Sequence, residues 1–255
     1  MFVASYIQGL ATKENLALAG VIIGILLSLS PIPTFIDIAI HSKTTGGYTV
    51  APYISSILCC SLWLTYALVA GSSKYDLVPL NVLSFVIYSV YCGIFAFYSP
   101  QRLKVIQIYL TGLGALAVAV IVGVVTRSLA FLGVVATVSN CLMFAAPLAV
   151  MQSVIETKSV RYMPFLLSFT SFLCASVWMA WALVVSDYFV LIPNSLGVVL
   201  GLVQLGLYSM YCRANLQLED HIGLRSDEAE GTPMSKLVNP TADTSTVHHV
   251  RELAE

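Results

Sequence analysis

Seven long apolar runs are the first feature of this chain. Each is about 20 residues long, which is the length an α-helix needs to cross roughly 30 Å of hydrocarbon. Because a helix satisfies its own backbone hydrogen bonds in lipid, each run is predicted to be helical. We therefore expect an all-α membrane protein with seven transmembrane helices. The runs cover approximately residues 16–40, 51–71, 77–98, 105–126, 130–154, 163–185 and 188–211.

The composition agrees with this prediction. The 255 residues are 58% hydrophobic and 10% charged, whereas soluble domains carry about 25% charged residues. Of the 13 acidic residues, five lie before Cys212 and eight after it, so the body of the chain is nearly free of carboxylates. The net charge of −1 gives no sign of a nucleic-acid partner.

Lysine and arginine in the short connections predict the orientation. If the N-terminus is outside, six basic residues lie on the inner side and three on the outer side, which is the bias of a protein with its C-terminus in the cytosol. The inner residues are Lys43, Arg102, Lys104, Lys158, Arg161 and Arg213, and the outer ones are Lys13, Lys74 and Arg127.

Two parts of the chain match each other. Aligned on tryptophan, LCCSLWLTYALV in the second run matches LCASVWMAWALV in the sixth, and SPIPTF in the first run matches APLAVM in the fifth. Matched residues continue into the third and seventh runs. The pairs are Pro31 and Pro147, Cys59 and Cys174, Trp63 and Trp178, Tyr66 and Trp181, Asp76 and Asp187, and Asn81 and Asn194.

This repeat predicts the domain organisation. Two three-helix copies, 16–98 and 130–212, are joined by a linker helix within 99–129. Because a single helix separates the copies, both have the same orientation in the membrane, as a parallel 3+1+3 arrangement. Residues 1–15 are predicted to form a short extracellular N-terminus, and 213–255, rich in Asp, Glu, Ser and Thr, a disordered cytosolic tail.

The duplicated tryptophans and asparagines are candidate binding residues. At about 1.5 Å per residue, Trp63 and Asn81 reach a similar depth near the middle of the membrane, and so do Trp178 and Asn194. An aromatic face covers the C–H face of a sugar ring, and an amide offers a donor and an acceptor to hydroxyls. A single such residue is usually packing, but its duplication in both copies favours a sugar site.

The paired prolines are candidate hinges. Proline removes a backbone hydrogen bond and bends a helix, although ordinary kinks are tolerated in membrane helices. Their symmetric occurrence favours hinges that open and close an inner gate. The four positions are Pro31, Pro52, Pro147 and Pro164.

The runs contain almost no ionisable group. No Lys, Arg, His or Glu lies between the interfaces, and Asp37 is near the inner end of the first helix. Proton-coupled carriers usually need such groups, so we expect uncoupled movement, with no metal and no cofactor. Asp76 and Asp187, near the outer surface, read from the sequence as solvated loop charges.

Several local motifs together resemble the SWEET sugar transporters. They are SPIPTF, the KTTG turn, the Pro-Tyr that opens the second helix, TKSV followed by MPF, and the paired LN and PN asparagines. The resemblance covers residues 16–212, and parallel repeats are already known in that family. It implies a uniporter that works by alternating access, resides in a lipid bilayer and forms a homo-oligomer.

The resemblance also implies residue roles. Trp63, Asn81, Trp178 and Asn194 map to the family pocket and the four prolines to its proline tetrad, and Tyr66 and Asp187 fall where members close the outer gate. This chain departs from the family in having Ala67 and Ala182 where glycine is common, and Asp37 where a basic residue is common. The added methyl groups are expected to stiffen or narrow the gate.

The expected substrate is a hexose rather than sucrose. By resemblance the pocket also includes Cys59, Cys174, Leu27 and Met143. Leucine and methionine are bulkier than the valine that sucrose-moving members carry, so the cavity is expected to be smaller. We expect the plasma membrane rather than the vacuolar or another internal membrane.

Other classes fit the sequence less well. The inner loops are too short for the coupling surface of a seven-helix receptor, and a retinal pigment needs a lysine in the last helix, which has none within 188–211. All four histidines lie outside the runs, which argues against a membrane-embedded enzyme. A carrier of amino acids or another small solute on the same three-helix repeat remains the alternative.

Overall fold

The computed structural model describes residues 12–160 and 163–230, with side chains as far as 212. Nine α-helices lie in these ranges, with a π-helical turn over Asp37–Ser42 and a 3-10 helix over Ser72–Leu77. The helices are α1 Lys13–Leu29, α2 Ile32–Ile36, α3 Ala51–Ala70, α4 Val78–Tyr98, α5 Arg102–Val125, α6 Leu129–Leu142, α7 Ala145–Thr157, α8 Phe165–Val184 and α9 Tyr188–Glu230.

The described helices form seven segments long and apolar enough to cross a membrane. The predicted class, an all-helical protein with seven membrane helices, is confirmed, and the bounds differ from the predicted ones by a few residues. The segments are Lys13–Ser42, Ala51–Ala70, Ser72–Tyr98, Arg102–Val125, Leu129–Thr157, Phe165–Val184 and Tyr188–Cys212.

The first and fifth segments are interrupted close to a proline. α1 ends two residues before Pro31, and α6 ends five residues before Pro147. Neither proline has an N–H to donate to the carbonyl four residues earlier, and tight i→i−3 bonds, such as that from Ser30 N to Leu27 O (3.1 Å), fill the breaks.

Pro52 and Pro164 differ from the other two prolines. Pro52 lies in the first turn of α3, and Pro164 is the residue before α8. Proline is tolerated at a helix start because the first N–H groups have no partner within the helix. These two prolines therefore interrupt no helix, and their role as hinges stays a prediction.

The last helix does not end at the predicted boundary. α9 continues to Glu230, whereas disorder was predicted from residue 213. Residues 213–230 contain no proline and several strong helix formers. One compact unit ends at Met210, two residues before the end of the last membrane segment, and the rest of α9 belongs to a second unit. The remainder of the predicted tail, 231–255, and residues 1–11 lie outside the described residues.

Helices of the two predicted copies contact each other in matched pairs. α1 packs against α8, and α3 packs against α6. If α1 corresponds to α6 and α3 to α8, exchange of the copies converts one contact into the other. α5 packs against α3, α4 and α6, as expected of a linker helix.

Two apolar clusters form the interior of the described structure. One contains Trp63, Tyr66, Trp178 and Trp181 and joins residues of both copies. The other contains Phe35, Ile57, Tyr91 and Phe95 of the first copy and Val105 of α5. Large apolar side chains such as Leu166 and Phe97 point outward, as lipid-facing positions require.

Candidate functional site

A small cavity lies between the two copies and has a volume of about 110 Å³. It contains all four residues that the sequence selected as a duplicated set. None of the residues lining it is charged, so the cavity suits a neutral solute. The lining residues are Trp63, Leu77, Leu80, Asn81, Asn140, Trp178, Val190 and Asn194.

The two paired asparagines are held in the same way. Asn81 Nδ2 donates to Leu77 O, and Asn194 Nδ2 donates to Val190 O, each at 2.7 Å. Because a carbonyl can only accept, the amide nitrogen must face it. Within the described residues no donor reaches either Oδ1, so each amide keeps an acceptor for a bound hydroxyl.

Backbone chemistry helps to shape the helix beside Asn194. Pro193 lies inside α9 and has no N–H for the carbonyl of Phe189. The hydroxyl of Thr137 in α6 donates to that carbonyl instead, at 2.9 Å. Such replacement by a side chain is what makes proline acceptable inside a membrane helix.

Each tryptophan of the cavity touches a second aromatic residue three positions further along its helix. Trp63 meets Tyr66 edge to face at 5.6 Å, and Trp178 meets Trp181 at 5.7 Å. Edge-to-face contacts between aromatic rings are favourable. The same two-ring unit therefore leads from the cavity towards one end of the bundle in both copies.

Trp178 lies against a glycine of the other copy. A Cβ placed on Gly20 would be 2.7 Å from Cε2 of the indole, so only glycine leaves room for the ring. The spacing of Gly20 and Gly24 in the sequence indicates close helix packing and no more. In the structure Gly24 likewise accommodates Leu80, another cavity residue.

Beyond the cavity, two reciprocal hydrogen bonds close one end of the bundle. We call this end the closed end. The opposite end, which contains Pro52 and Pro164, is called the proline end. Tyr66 OH donates to Asp187 Oδ2 at 2.9 Å, and Trp181 Nε1 donates to Asp76 Oδ2 at 3.2 Å. In each bond an aromatic residue of one copy reaches the acid of the other.

Two lysines complete the closed end. Lys74 pairs with Asp187 at 2.7 Å, and Lys13 pairs with Asp76 at 2.9 Å. Asp187 Oδ1 also accepts the backbone N–H groups of Phe189 and Val190, at the start of α9. With 3% of its surface exposed, Asp187 is no solvated loop charge, so that interpretation of the sequence was wrong for this residue.

The two alanines that replace glycine lie within this closure. Ala67 and Ala182 are both fully buried and belong to the same apolar cluster as Tyr66 and Trp181. Their methyl groups therefore fill space at the closed end, which is where they were expected to act.

Four further residues expected at the pocket do not line this cavity. Cys59 and Cys174 lie beside Trp63 and Trp178, one helical turn earlier, because a helix brings residues four apart to one face. Met143 lines a different cavity. Leu27 lines none of the cavities described here.

Asn140 is the polar residue of the cavity that the sequence did not single out. It lies in α6, seven residues before Pro147. Gly24 stands seven residues before Pro31, so Asn140 has no matching amide in the first copy. A search for duplicated residues therefore misses it, although an asparagine inside an apolar run is itself a signal.

The cavity is nearer to the closed end than to the proline end. Trp63 is 12 residues from the start of α3 and seven from its end, which at 1.5 Å per residue is roughly 18 Å and 10 Å. The position near the middle of the membrane stays a prediction.

The described structure has an uncharged polar cavity among seven membrane segments, and bonds between the two copies close one end of the bundle. These features are those of a membrane carrier. Comparison with known proteins places it in a family. A family profile described as "Sugar efflux transporter for intercellular exchange" matches residues 14–103 and again 130–216.

Relatives cover most of the chain. A rice protein (Oryza sativa subsp. japonica), "Bidirectional sugar transporter SWEET7b", is 35% identical and the alignment covers 88% of this chain and 90% of the relative. "Bidirectional sugar transporter SWEET4" of Arabidopsis thaliana is 39% identical over 78% and 82% of the two chains. The solved structure of a eukaryotic SWEET transporter has a TM-score of 0.75 and 33% identity, covering 79% of this chain and 97% of that one. The chain belongs to the SWEET family.

Proposed function

We propose that this protein is a facilitative, bidirectional sugar uniporter. The observation that carries the proposal is the neutral cavity in which two tryptophans and three asparagines converge. Indole rings suit the C–H face of a sugar, and the amides suit its hydroxyls. The relatives named as bidirectional sugar transporters support the same function.

The proposed architecture is two parallel three-helix repeats joined by α5. Three findings support it. The family profile matches the chain twice. The contact between α1 and α8 corresponds to the contact between α6 and α3 when the two copies are exchanged, and the two asparagines make equivalent bonds to their own helices. A site between such repeats can be uncovered from either side by a relative movement of the two copies.

The closed end is the gate that must open on one side. Hydrogen bonds to charged groups contribute about 1.5–3 kcal/mol each, so the two reciprocal bonds are strong enough to close the path and weak enough to break. The contacts of Trp63 with Tyr66 and of Trp178 with Trp181 tie the gate to the cavity. A sugar that shifts either indole therefore alters the gate.

The proposed hinges are at Pro31 and Pro147, where the membrane segments are interrupted. Pro52 and Pro164, at helix starts, are proposed to fix where α3 and α8 begin. Movement about the first pair changes the direction of the proline-end half of each segment, α2 and α7, while α1 and α6 stay packed against the other copy.

A monosaccharide is the proposed substrate class, and no proton is coupled to its movement. The small cavity favours one ring over two, and its lining contains no group that could carry a proton. The extracellular N-terminus, the plasma membrane and the homo-oligomer stay predictions of the sequence and of the family.

Uptake into proteoliposomes tests this function directly. Labelled glucose should enter along its gradient, exchange against internal glucose, and do so equally with and without a proton gradient. Sucrose should enter more slowly than glucose. Amino-acid uptake or a requirement for a proton gradient would favour the alternative carrier, and sucrose preference would overturn the monosaccharide assignment alone.

A further inference from the structure

A second and larger cavity lies within the second repeat and is lined by none of the first-repeat residues. Its volume is about 430 Å³, and we call it the second-repeat cavity. It extends from Asn140 to Met163 and Pro164, towards the proline end. Its walls include the ring of Phe144 and, on α9, Gly197, Gly201 and Gln204.

The matching space in the first repeat is filled with side chains. Counted from the paired asparagines, positions three, seven and ten are Ser84, Tyr88 and Tyr91 in α4 but Gly197, Gly201 and Gln204 in α9. The ring of Tyr91 stacks on Phe35 at 4.3 Å and meets Tyr88 at 6.1 Å. Glycine and glutamine therefore stand in the second repeat where the first has two tyrosines. Gly201 itself packs closely on α8, since a Cβ there would lie 2.9 Å from Cβ of Phe172.

Polar groups are satisfied in the first repeat. Ser28 Oγ and Ser84 Oγ are 2.8 Å apart and hydrogen-bonded. Tyr91 OH donates to Ser28 O at 3.1 Å, and Ser56 Oγ donates to Pro52 O at 2.9 Å. The first repeat therefore needs no further partner for these side chains.

Polar side chains around the second-repeat cavity lack such partners. Asn140, Ser168, Ser171 and Gln204 line it, and none of their side chains hydrogen-bonds to another of the residues that the structure describes. Ser168 is only 5% exposed, and the other three residues are partly exposed. Among the described residues, the buried side-chain atom without a partner is Trp178 Nε1 of the central site, so the polar atoms of these four side chains are accessible from the cavity. They offer hydrogen bonds to a polar occupant, which a lipid tail cannot make.

Asn140 belongs to both cavities. Its amide therefore stands at the boundary between the central site and the second-repeat cavity. A solute that leaves Trp178 and Asn194 on the side away from the closed end meets Asn140 first.

We propose that the second-repeat cavity is a second sugar-binding position, occupied by a monosaccharide on its way between the central site and the proline end. This inference rests on the proposed function. Phe144 contributes an aromatic ring to the wall, and the amides and hydroxyls of the cavity offer hydrogen bonds. The path through the carrier is then asymmetric, because its second binding position lies within one repeat only.

Thiol labelling tests the position in the full-length protein. Ser171→Cys places a thiol on the cavity wall, and its modification by a small, water-soluble methanethiosulfonate is followed by mass spectrometry of that peptide. Saturating glucose should slow the modification at least about threefold. Ser56→Cys in the packed first repeat is the matched control, and glucose should not change its slow labelling.

The same measurement in an Asn194→Ala background separates the two sites. If glucose binds in the second-repeat cavity itself, protection of Ser171→Cys persists although the central site is impaired. Protection that disappears with Asn194→Ala, or no protection by glucose at all, overturns the proposal. Glucose flux through Ser171→Cys reports on the proposed function independently.

Filling the cavity is the second test. Gln204→Tyr introduces the first-repeat residue at the matching position. It should abolish glucose protection at Ser171→Cys and reduce uptake at least about threefold at equal amounts of inserted protein. Unchanged protection and uptake in this variant would show that the space is not on the sugar's path.

Discussion

The two repeats are alike at the closed end and different at the proline end. At the closed end, each repeat sends one aromatic residue to the acid of the other, Tyr66 to Asp187 and Trp181 to Asp76. Towards the proline end, the second repeat encloses a cavity of about 430 Å³, whereas a stacked aromatic cluster fills the matching space in the first repeat.

This difference separates two demands on the sequence. The two repeats have matching residues where both contact the same solute and where bonds between the repeats must break together. Their residues differ where one repeat alone forms the structure, as in the second-repeat cavity. The duplicated residues therefore define the central site and gate, and the unmatched residues Asn140 and Gln204 define what is particular to one half.

Among the contacts between the two repeats, the largest effect is expected at the glycine that packs against Trp178. A methyl group on Gly20 would lie 2.7 Å from the indole, and such overpacking typically costs about 1–3 kcal/mol. Gly20→Ala should reduce glucose uptake by about tenfold or more, because the ring must leave the cavity wall. Ala136 stands at the matching position of the second repeat, so only one repeat has this requirement.

Gly93→Ala is the matched control, since a Cβ there meets nothing within 4 Å. Uptake is compared per molecule of inserted protein. Full uptake through Gly20→Ala would mean that transport does not depend on the close contact between Trp178 and α1.

The two acids of the gate should differ in their importance. Asp187 accepts from Tyr66, Lys74 and two backbone N–H groups, and its side chain is 1% exposed against 22% for Asp76. Asp187→Asn leaves the mostly buried ammonium of Lys74 without its counter-ion and should lower uptake by about five- to tenfold. Asp76→Asn should lower it by only about twofold, because solvent screens its pair. Equal losses would contradict the difference in burial.

A smaller effect is expected from the indole N–H of the gate. Trp181→Phe keeps an aromatic ring but removes the donor to Asp76. At 3.2 Å, to a carboxylate that is 22% exposed, this bond belongs at or below the lower end of the about 1.5–3 kcal/mol of bonds to charged groups. The closed end should open more readily, and a thiol introduced at Leu77→Cys should react about two- to fivefold faster with an impermeant reagent added on that side. Tyr66→Phe is the counterpart in the first repeat, and its effect should be at least as large.

The smallest effect concerns sugar size. Met143 lines the second-repeat cavity, whereas Leu27 lines no described cavity. Met143→Val should raise the ratio of sucrose to glucose uptake by about twofold. This is well below the roughly 10–200-fold effect of one methylene in a tight pocket, because the cavity already has a volume of about 430 Å³. Leu27→Val should change this ratio less, and a larger change there would place Leu27 on the sugar's path.

Features that repeat along the sequence could be predicted before the structure. Seven membrane segments follow from run length, and the convergence of Trp63, Asn81, Trp178 and Asn194 follows from their duplication. Fixed helix geometry turns both patterns into positions in space.

Features set by contacts between distant residues could not be predicted in this way. The role of Gly20 depends on an indole from α8, and the burial of Asp187 depends on Tyr66 and Lys74 reaching it from the other repeat. Pro52 and Pro164 stand in matched positions of the sequence, yet only the structure shows that they lie at helix starts.

The central claim is that a sugar binds between the matched tryptophans and asparagines. It is tested most directly by exchange of labelled glucose in proteoliposomes that contain Trp178→Ala or Asn194→Ala. Exchange should fall to the background of empty liposomes, while Phe97→Ala and Gln107→Ala, at exposed positions, stay within about twofold of the unaltered protein. Undiminished exchange through both site variants would contradict the account.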